Sequence, residues 1–270
     1  MIYKILLLVS IANFAAATNF NAEHNFIPHI DNPNNKIEYY LIKPLNKNPK
    51  STLIFLHGNQ AQKVTIGGLK RVNDGTLARY AEMGYLAIAM SFPGYGNSDG
   101  ERDWCGVYSQ RAVVSLIEYL NSYKNIEKNR IYLIGNSRGA VVAGMVATKE
   151  QELEGIVLDA GFYDLNKVTH EITLSRMKNE GIINSSEIEK RSIMDKADKV
   201  HSPTLILHGF YDEKTPVAEA FKFYNKLMQL RKNATLMVFP YPHSIPLEQK
   251  YKAIDIFIEE NLKSRNKKIK

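Results

Sequence analysis

Residues 131–140 of the chain read IYLIGNSRGA, and residues 141–147 continue as VVAGMVA. The apolar residues at the start are typical of a short buried strand. A Gly-x-Ser-x-Gly pattern follows at residues 135–139, and the small residues after it favour a helix. A serine at such a sharp strand-to-helix turn lies on strained backbone, with its hydroxyl projecting clear of the sheet. A Cβ at Gly135 or Gly139 would collide with the neighbouring strand or helix. The pattern predicts that Ser137 is a nucleophile, and an ordinary strand-to-helix turn is the alternative.

Two further polar residues follow strands later in the chain. Asp212 comes after the strand predicted at 204–209, and His243 comes after the strand predicted at 235–239. Open α/β sheets bind ligands beyond the carboxyl ends of their strands, so we expect these residues beside Ser137. His243 would then take the proton of Ser137, while Asp212 would orient and stabilise the imidazole. A helix N-cap for Asp212 and a surface-loop histidine for His243 are the alternatives.

An oxyanion hole needs two backbone N–H donors close to the nucleophile. Arg138 follows the serine directly and is the first predicted donor. The strand predicted at 51–56 ends in the loop 57–60, in which we predict Asn59 as the second donor, with Gln60 as the alternative. His57 opens that loop, and we interpret it as a structural residue that hydrogen-bonds the loop backbone.

Five segments together resemble the α/β-hydrolase superfamily: residues 57–59, 91–100, 135–139, 208–212 and 242–243. The stretch GYGNSDG at 94–100 and the turn at 212–216 look most like the serine aminopeptidase and prolyl-oligopeptidase-like branch, which also holds small esterases. The resemblance covers residues 36–262. It implies an α/β fold with a mostly parallel central sheet and helices on both faces, and a triad of Ser137, Asp212 and His243. It implies no substrate, because this fold hosts many chemistries.

The pattern and the resemblance predict a serine hydrolase that cleaves an ester or amide bond of a small substrate through an acyl-enzyme, as a carboxylesterase does. An exopeptidase of the aminopeptidase or dipeptidyl-peptidase type is the alternative. An exopeptidase would need acidic residues to bind the free α-amine of its substrate. The candidates are Glu171, Glu180, Glu187 and Glu189. A non-catalytic binding protein on the same scaffold is a remote alternative, because this chain keeps all three triad residues.

The length of 270 residues and the hydrophobic content of 44% predict one domain with a large core over residues 18–270. Residues 19–35 are polar and are predicted to be irregular, with the first strand at 36–42. Residues 162–200 are predicted to hold two helices, at 165–179 and 186–198. We predict that this segment forms a lid over the serine, and a pair of helices that only connects two strands is the alternative. Asp159 and Asp164 are fallback candidates for the triad acid.

The N-terminus has the pattern of an export signal. A basic start ends at Lys4, residues 5–12 are apolar, and residues 15–17 are three alanines, the small residues that a signal peptidase reads. We therefore predict a signal peptide over residues 1–17 and a periplasmic or secreted enzyme, with a retained anchor as the alternative. The single cysteine, Cys105, excludes an intrachain disulfide, and we interpret it as half-buried rather than nucleophilic.

The formal net charge is +7, and part of it comes from a basic end at residues 263–270, predicted to be solvated. Basic residues interleaved with aromatic ones are not found, which argues against a nucleic-acid partner. A basic surface favours acidic substrates and, weakly, an anionic membrane surface. The sequence carries no His-Glu-x-x-His or Cys-x-x-Cys pattern, so we predict no metal and no cofactor.

Overall fold

The computed structural model describes residues 21–46, 48–60, 65–124, 126–150, 152–182 and 184–269, so the predicted signal peptide lies outside the described residues. Within these ranges eight strands form one sheet in the order β1-β2-β4-β3-β5-β6-β7-β8. The strands are β1 (Glu23–His29), β2 (Asn32–Ile42), β3 (Thr52–Leu56), β4 (Leu86–Met90), β5 (Ile131–Asn136), β6 (Gly155–Asp159), β7 (Thr204–Gly209) and β8 (Ala234–Phe239). The pairs β1/β2 and β2/β4 are antiparallel and the others are parallel, which confirms the predicted sheet.

Helices cover both faces of the sheet. They are α1 (Leu69–Asn73), α2 (Thr76–Glu82), α3 (Val107–Lys124), α4 (Arg138–Ala147), α5 (Glu171–Asn179), α6 (Ser185–Glu189), α7 (Val217–Gln229) and α8 (Leu247–Ile269). Ile54 and Leu56 of β3 pack in a cluster with α3, α4 and α7, while Leu53 and Phe55 pack in a second cluster with α2 and α8. Successive strand residues point to opposite faces, so the central strands are buried on both sides. No helix among the described residues is long and apolar enough to cross a membrane.

The predicted irregular structure at residues 19–35 is wrong over its described part. Residues 23–29 form the edge strand β1, and β2 already begins at Asn32, so the two strands make a hairpin. In β1 only Ile27 and His29 are buried, because the other side chains at this edge face solvent. Pro28 is also compatible with an edge strand. The polar composition therefore reflects an exposed edge rather than an absence of regular structure.

Residues 162–200 contain shorter helices than predicted. The first helix, α5, begins at Glu171 because His170 caps it, its Nδ1 accepting a hydrogen bond from the N–H of Thr173. Gly181, with a φ of +89°, separates α5 from α6 as expected. Residues 165–167 and 194–199 form 3₁₀ turns instead of helical extensions.

The turn between β5 and α4 is tightly packed. Ser137 has a φ of 52° and a ψ of −114°, which is strained backbone for a residue with a side chain. A Cβ added at Gly135 would lie 2.2 Å from the carbonyl oxygen of Gly139, and a Cβ added at Gly139 would lie 2.2 Å from that of Leu56. Backbone atoms cannot rotate away as side chains do, so the collisions expected from the sequence are present at both glycines.

We predict that Gly139→Ala destabilises the protein by about 2 kcal/mol or more, since overpacking against backbone costs on the order of 1–3 kcal/mol. Gly144→Ala, in the same helix, is the control. Its added Cβ would meet only the terminal Cδ1 of Ile193 at under 3 Å, and alanine favours a helix by about 1 kcal/mol over glycine. Urea denaturation of both variants measures the difference. Equal stabilities would contradict the proposed role of the close backbone contact.

Candidate active site

The nucleophile predicted from the sequence lies at the carboxyl end of β5. Ser137 directly precedes α4, and its N–H donates a hydrogen bond to the carbonyl oxygen of Asp159 at the end of β6, at 2.7 Å. This bond ties the turn to the neighbouring strand. The Ser137 side chain lines a cavity of about 290 Å³, which Asn59, Arg138 and His243 also line.

The structure brings the three predicted triad residues together. His243 follows β8, and its Nε2 lies 3.0 Å from Oγ of Ser137. Its Nδ1 lies 2.7 Å from Oδ2 of Asp212, which follows β7. The carboxylate accepts the Nδ1–H, which leaves Nε2 free to accept the serine hydroxyl proton. The three side chains, 106 and 31 residues apart in sequence, form one hydrogen-bonded series.

Asp212 is buried and is held by donors on both carboxylate oxygens. Its Oδ1 accepts the N–H groups of Lys214 and Thr215, each at 2.9 Å. Nε2 of His208 lies 3.3 Å from Oδ2 and 2.8 Å from the carbonyl oxygen of Thr215, so this nitrogen is the donor to both. Burial by itself would raise the pKa of the Asp212 carboxyl, but hydrogen bonds from His208, His243 and Thr215 outweigh it and hold the pKa well below its ordinary value. Asp212 is therefore an anion at neutral pH.

Among the described hydrogen bonds and ion pairs, neither fallback acid is a partner of His243. Oδ2 of Asp159 accepts hydrogen bonds from Nζ of Lys250, at 2.5 Å, and from Nδ2 of Asn136, at 2.7 Å. Asp164 caps the turn at 165–167 by accepting the N–H of Asn166. Sequence reasoning missed Lys250, because a lysine in the amphipathic α8 gives no sign that it reaches a carboxylate 91 residues earlier.

The loop after β3 lies against the nucleophile turn. A Cβ built on Gly58 would be 3.2 Å from Cβ of Ser137, so the next residue, Asn59, is beside the serine and lines the cavity. The Gln60 side chain forms two hydrogen bonds of 2.9 Å with the backbone of Gly67, and Gln60 is not among the described residues that line the cavity. The lining of the cavity therefore favours Asn59 over Gln60 as the second oxyanion donor.

His57 has the structural role expected of it. Its Nδ1 lies 2.8 Å from the carbonyl oxygen of Gly58, and its Nε2 accepts the N–H of Phe92 at 3.1 Å. Burial lowers the pKa of His57 to about 4, so the ring is neutral with its proton on Nδ1. It therefore joins the loop after β3 to the end of β4.

The side chain of Arg138 was not predicted from the sequence to have a role. It is buried, and its guanidinium donates to both carboxylate oxygens of Glu180, to Oη of Tyr95 at 2.9 Å and to Oδ1 of Asn59 at 3.2 Å. Glu180 also accepts the N–H of Trp104 at 2.9 Å. Glu180 is thus paired within the protein, which removes it as a binder of a substrate ammonium group.

The segment 162–200 forms one side of the cavity. Its lining residues are Phe162, His170, Ile172, Thr173 and Arg176. The segment lies beside Ser137, which is the position that a lid would occupy. That the segment opens and closes stays a prediction.

Cys105 is fully buried rather than half-buried, at 2% exposure. Its Sγ donates to the carbonyl oxygen of Arg138 at 3.4 Å. Burial raises the pKa of the Cys105 thiol to about 12, so the thiol is protonated at neutral pH. A protonated thiol in this position is a packing group and not a nucleophile, as predicted.

The chain is similar in sequence to known peptidases. A model of the prolyl oligopeptidase family matches residues 74–265. The uncharacterized peptidase YtmA of Bacillus subtilis is 26% identical over 177 residues, which are 62% of this chain and 68% of YtmA.

Two similar solved structures show the α/β-hydrolase fold. The acylaminoacyl peptidase of Pyrococcus horikoshii superposes with a TM-score of 0.76 and 20% identity, over 96% of this chain and 44% of that one. The esterase Pf2001 of Pyrococcus furiosus superposes with a TM-score of 0.67 and 21% identity, over 91% and 93%. The chain therefore spans less than half of the peptidase and nearly the whole esterase.

We predict that Asp212→Asn lowers kcat by about 10⁴-fold, because an amide in place of the carboxylate favours the wrong histidine tautomer. Asp159→Asn has a different signature. It leaves the buried ammonium of Lys250 without a counter-charge, so we expect it to destabilise the fold by about 3–5 kcal/mol while kcat falls far less. Steady-state kinetics and urea denaturation of both variants separate the two roles.

The double variant Asp159→Asn/Lys250→Met is the control for this pair, since it removes the unpaired charge and should recover stability. If Asp159→Asn were the variant with the severe loss of kcat, the triad acid would be assigned to the wrong strand.

Proposed function

The chain belongs to the prolyl oligopeptidase family, and from this premise we propose that it is a serine hydrolase that cleaves an ester or amide bond of a small substrate. One observation carries the proposal: Oγ of Ser137, the imidazole of His243 and the carboxylate of Asp212 are joined by contacts of 3.0 and 2.7 Å. A nucleophile, a base and a group that orients the base are the three parts that acyl transfer by serine requires.

The mechanism follows from these contacts. Ser137 attacks the carbonyl carbon of the substrate and gives its proton to Nε2 of His243. Asp212 stabilises the imidazolium, which then protonates the leaving group. His243 next activates a water molecule that hydrolyses the acyl-enzyme. General-base catalysis of this kind contributes about 10²–10⁴-fold.

The N–H groups of Asn59 and Arg138 are the proposed donors to the oxyanion. Each such donor is worth about 10²–10³-fold, provided that it is held in place before the reaction. The contacts of the Arg138 side chain with Glu180, Tyr95 and Asn59 supply that rigidity, because they brace both donor residues at once.

We place carboxylesterase-like activity first among the substrate classes. Aminopeptidases bind the free α-ammonium group of a peptide with carboxylates, and no Asp or Glu is among the described residues that line the cavity. Glu180 is paired with Arg138, and Glu187 is paired with Lys190 and Arg191. The family match and the names of the peptidase relatives favour amide hydrolysis as the second candidate. An amide substrate without a free α-ammonium group would not need such a carboxylate.

We also propose that the enzyme is exported. The support is the sequence pattern of residues 1–17. The first described strand begins at Glu23, so removal of residues 1–17 removes no described strand.

We predict that Ser137→Ala abolishes labelling by a fluorophosphonate probe and hydrolysis of p-nitrophenyl esters. Wild-type protein should be labelled and should cleave short esters faster than aminoacyl nitroanilides. Circular dichroism controls for folding, and we expect no change because alanine replaces a side chain of nearly the same size. Persistent labelling of Ser137→Ala would exclude this nucleophile, and an unlabelled, inactive wild type would favour a non-catalytic binding protein.

We predict that the protein isolated from its native host begins at Thr18, and that protein produced from Thr18 onward is soluble and active. Mass spectrometry of the intact protein and of its N-terminal peptide makes the measurement. An intact Met1 on cytosolic material would refute export and leave the hydrolase proposal unaffected.

A further inference from the structure

Three cationic side chains outside the triad line the cavity that contains Ser137. They come from separate elements: Lys70 from α1, Arg176 from α5 and Lys214 from the loop between β7 and α7. All three are exposed to solvent. Three separate elements thus contribute positive charge to the lining of one cavity, in addition to the buried guanidinium of Arg138.

These three cations form no ion pair with any residue that the structure describes. Within the described part of the chain, no carboxylate lies within 4 Å of Lys70, Arg176 or Lys214, and their charged groups form no hydrogen bond. Arg138 differs from them, because Glu180 neutralises it.

The carboxylate of the triad does not pair with these cations. Asp212 is buried behind His243, where four donors already hold its carboxylate. No Asp or Glu side chain is among the described lining residues. A cleft lined by charges of one sign concentrates the field in the cleft and raises the local concentration of ligands of the opposite charge.

We propose that this enzyme is selective for small esters or amides that carry a carboxylate, and that Lys70, Arg176 and Lys214 bind that carboxylate. The inference rests on the proposed hydrolase function and deepens it. A guanidinium matches a carboxylate with two parallel hydrogen bonds, and a compact anion leaves room for the scissile bond in a cavity of about 290 Å³. The same charge excess disfavours substrates with a free ammonium group.

The test compares substrates that differ in one charge. On the acyl side the pair is p-nitrophenyl hemiglutarate and its terminal carboxamide, and on the leaving-group side it is 4-acetoxybenzoate and 4-acetoxybenzamide. We expect kcat/KM, corrected for spontaneous hydrolysis, to favour the carboxylate by at least about fivefold in one pair at low ionic strength. The preference should shrink in 1 M NaCl, where the Debye length is about 3 Å. A ratio of one or less in both pairs would overturn the proposal.

Charge-removing variants assign the preference to residues. Arg176→Gln and Lys214→Gln should each lower the carboxylate-to-carboxamide ratio of kcat/KM by about 1.4- to 5-fold, as expected for exposed ion pairs. The triple variant with Lys70→Gln should abolish the preference. Lys178→Gln is the matched control, because this exposed lysine lies on α5 but does not line the cavity, and it should leave the ratio unchanged. An unchanged ratio in the triple variant would refute the assignment.

The labelling experiment separates this inference from the one on which it rests. If the neutral fluorophosphonate probe labels Ser137 and neutral esters are cleaved without a carboxylate preference, only the anion selectivity fails. If neither labelling nor cleavage occurs, the hydrolase proposal itself fails.

Discussion

The close contact between the start of α4 and the end of β3 is the constraint on which the site depends. Gly139 lets the helix approach the carbonyl oxygen of Leu56, and Gly135 lets the turn fold back over its own strand. The chain must therefore reverse within one residue, and Ser137 takes a φ of 52° to do so. This strained backbone projects the serine hydroxyl beyond the carboxyl ends of the strands, where His243 lies after β8. A wider turn would lose both the exposure and the 3.0 Å contact.

Two largely buried ion pairs flank this strained turn in sequence. Asp159 and Lys250 form one of them, and Nδ2 of Asn136, the residue before the serine, donates to the same carboxylate. Arg138 and Glu180 form the other, which joins the residue after the serine to the 162–200 segment. Buried charges are costly unless they are paired, so each pair favours one arrangement of the turn. The flanking pairs position the nucleophile without themselves reacting.

The negative and the positive charges of the site differ in how deeply they are buried. The carboxylate of Asp212 is buried and saturated with donors, so it acts on His243 and is shielded from the cavity. The side chains of Lys70, Arg176 and Lys214 are exposed to solvent and line the same cavity. In the proposed mechanism the buried anion supports proton transfer, while the exposed cations are the proposed determinants of substrate charge.

The sequence by itself determined the central strands, the nucleophile turn and the order of Ser137, Asp212 and His243, because each depends on a local pattern: a short apolar run followed by glycine, aspartate or histidine. Only the tertiary structure decided that β1 is a strand, since its polar side chains match an exposed edge as well as a loop. It also decided the pairing of Asp159 with Lys250, of Arg138 with Glu180, and the gathering of Lys70, Arg176 and Lys214 around one cavity. These contacts join residues far apart in sequence. The local sequence around a charged residue is the same whether its side chain is exposed or paired, so only the folded chain shows which partner it has.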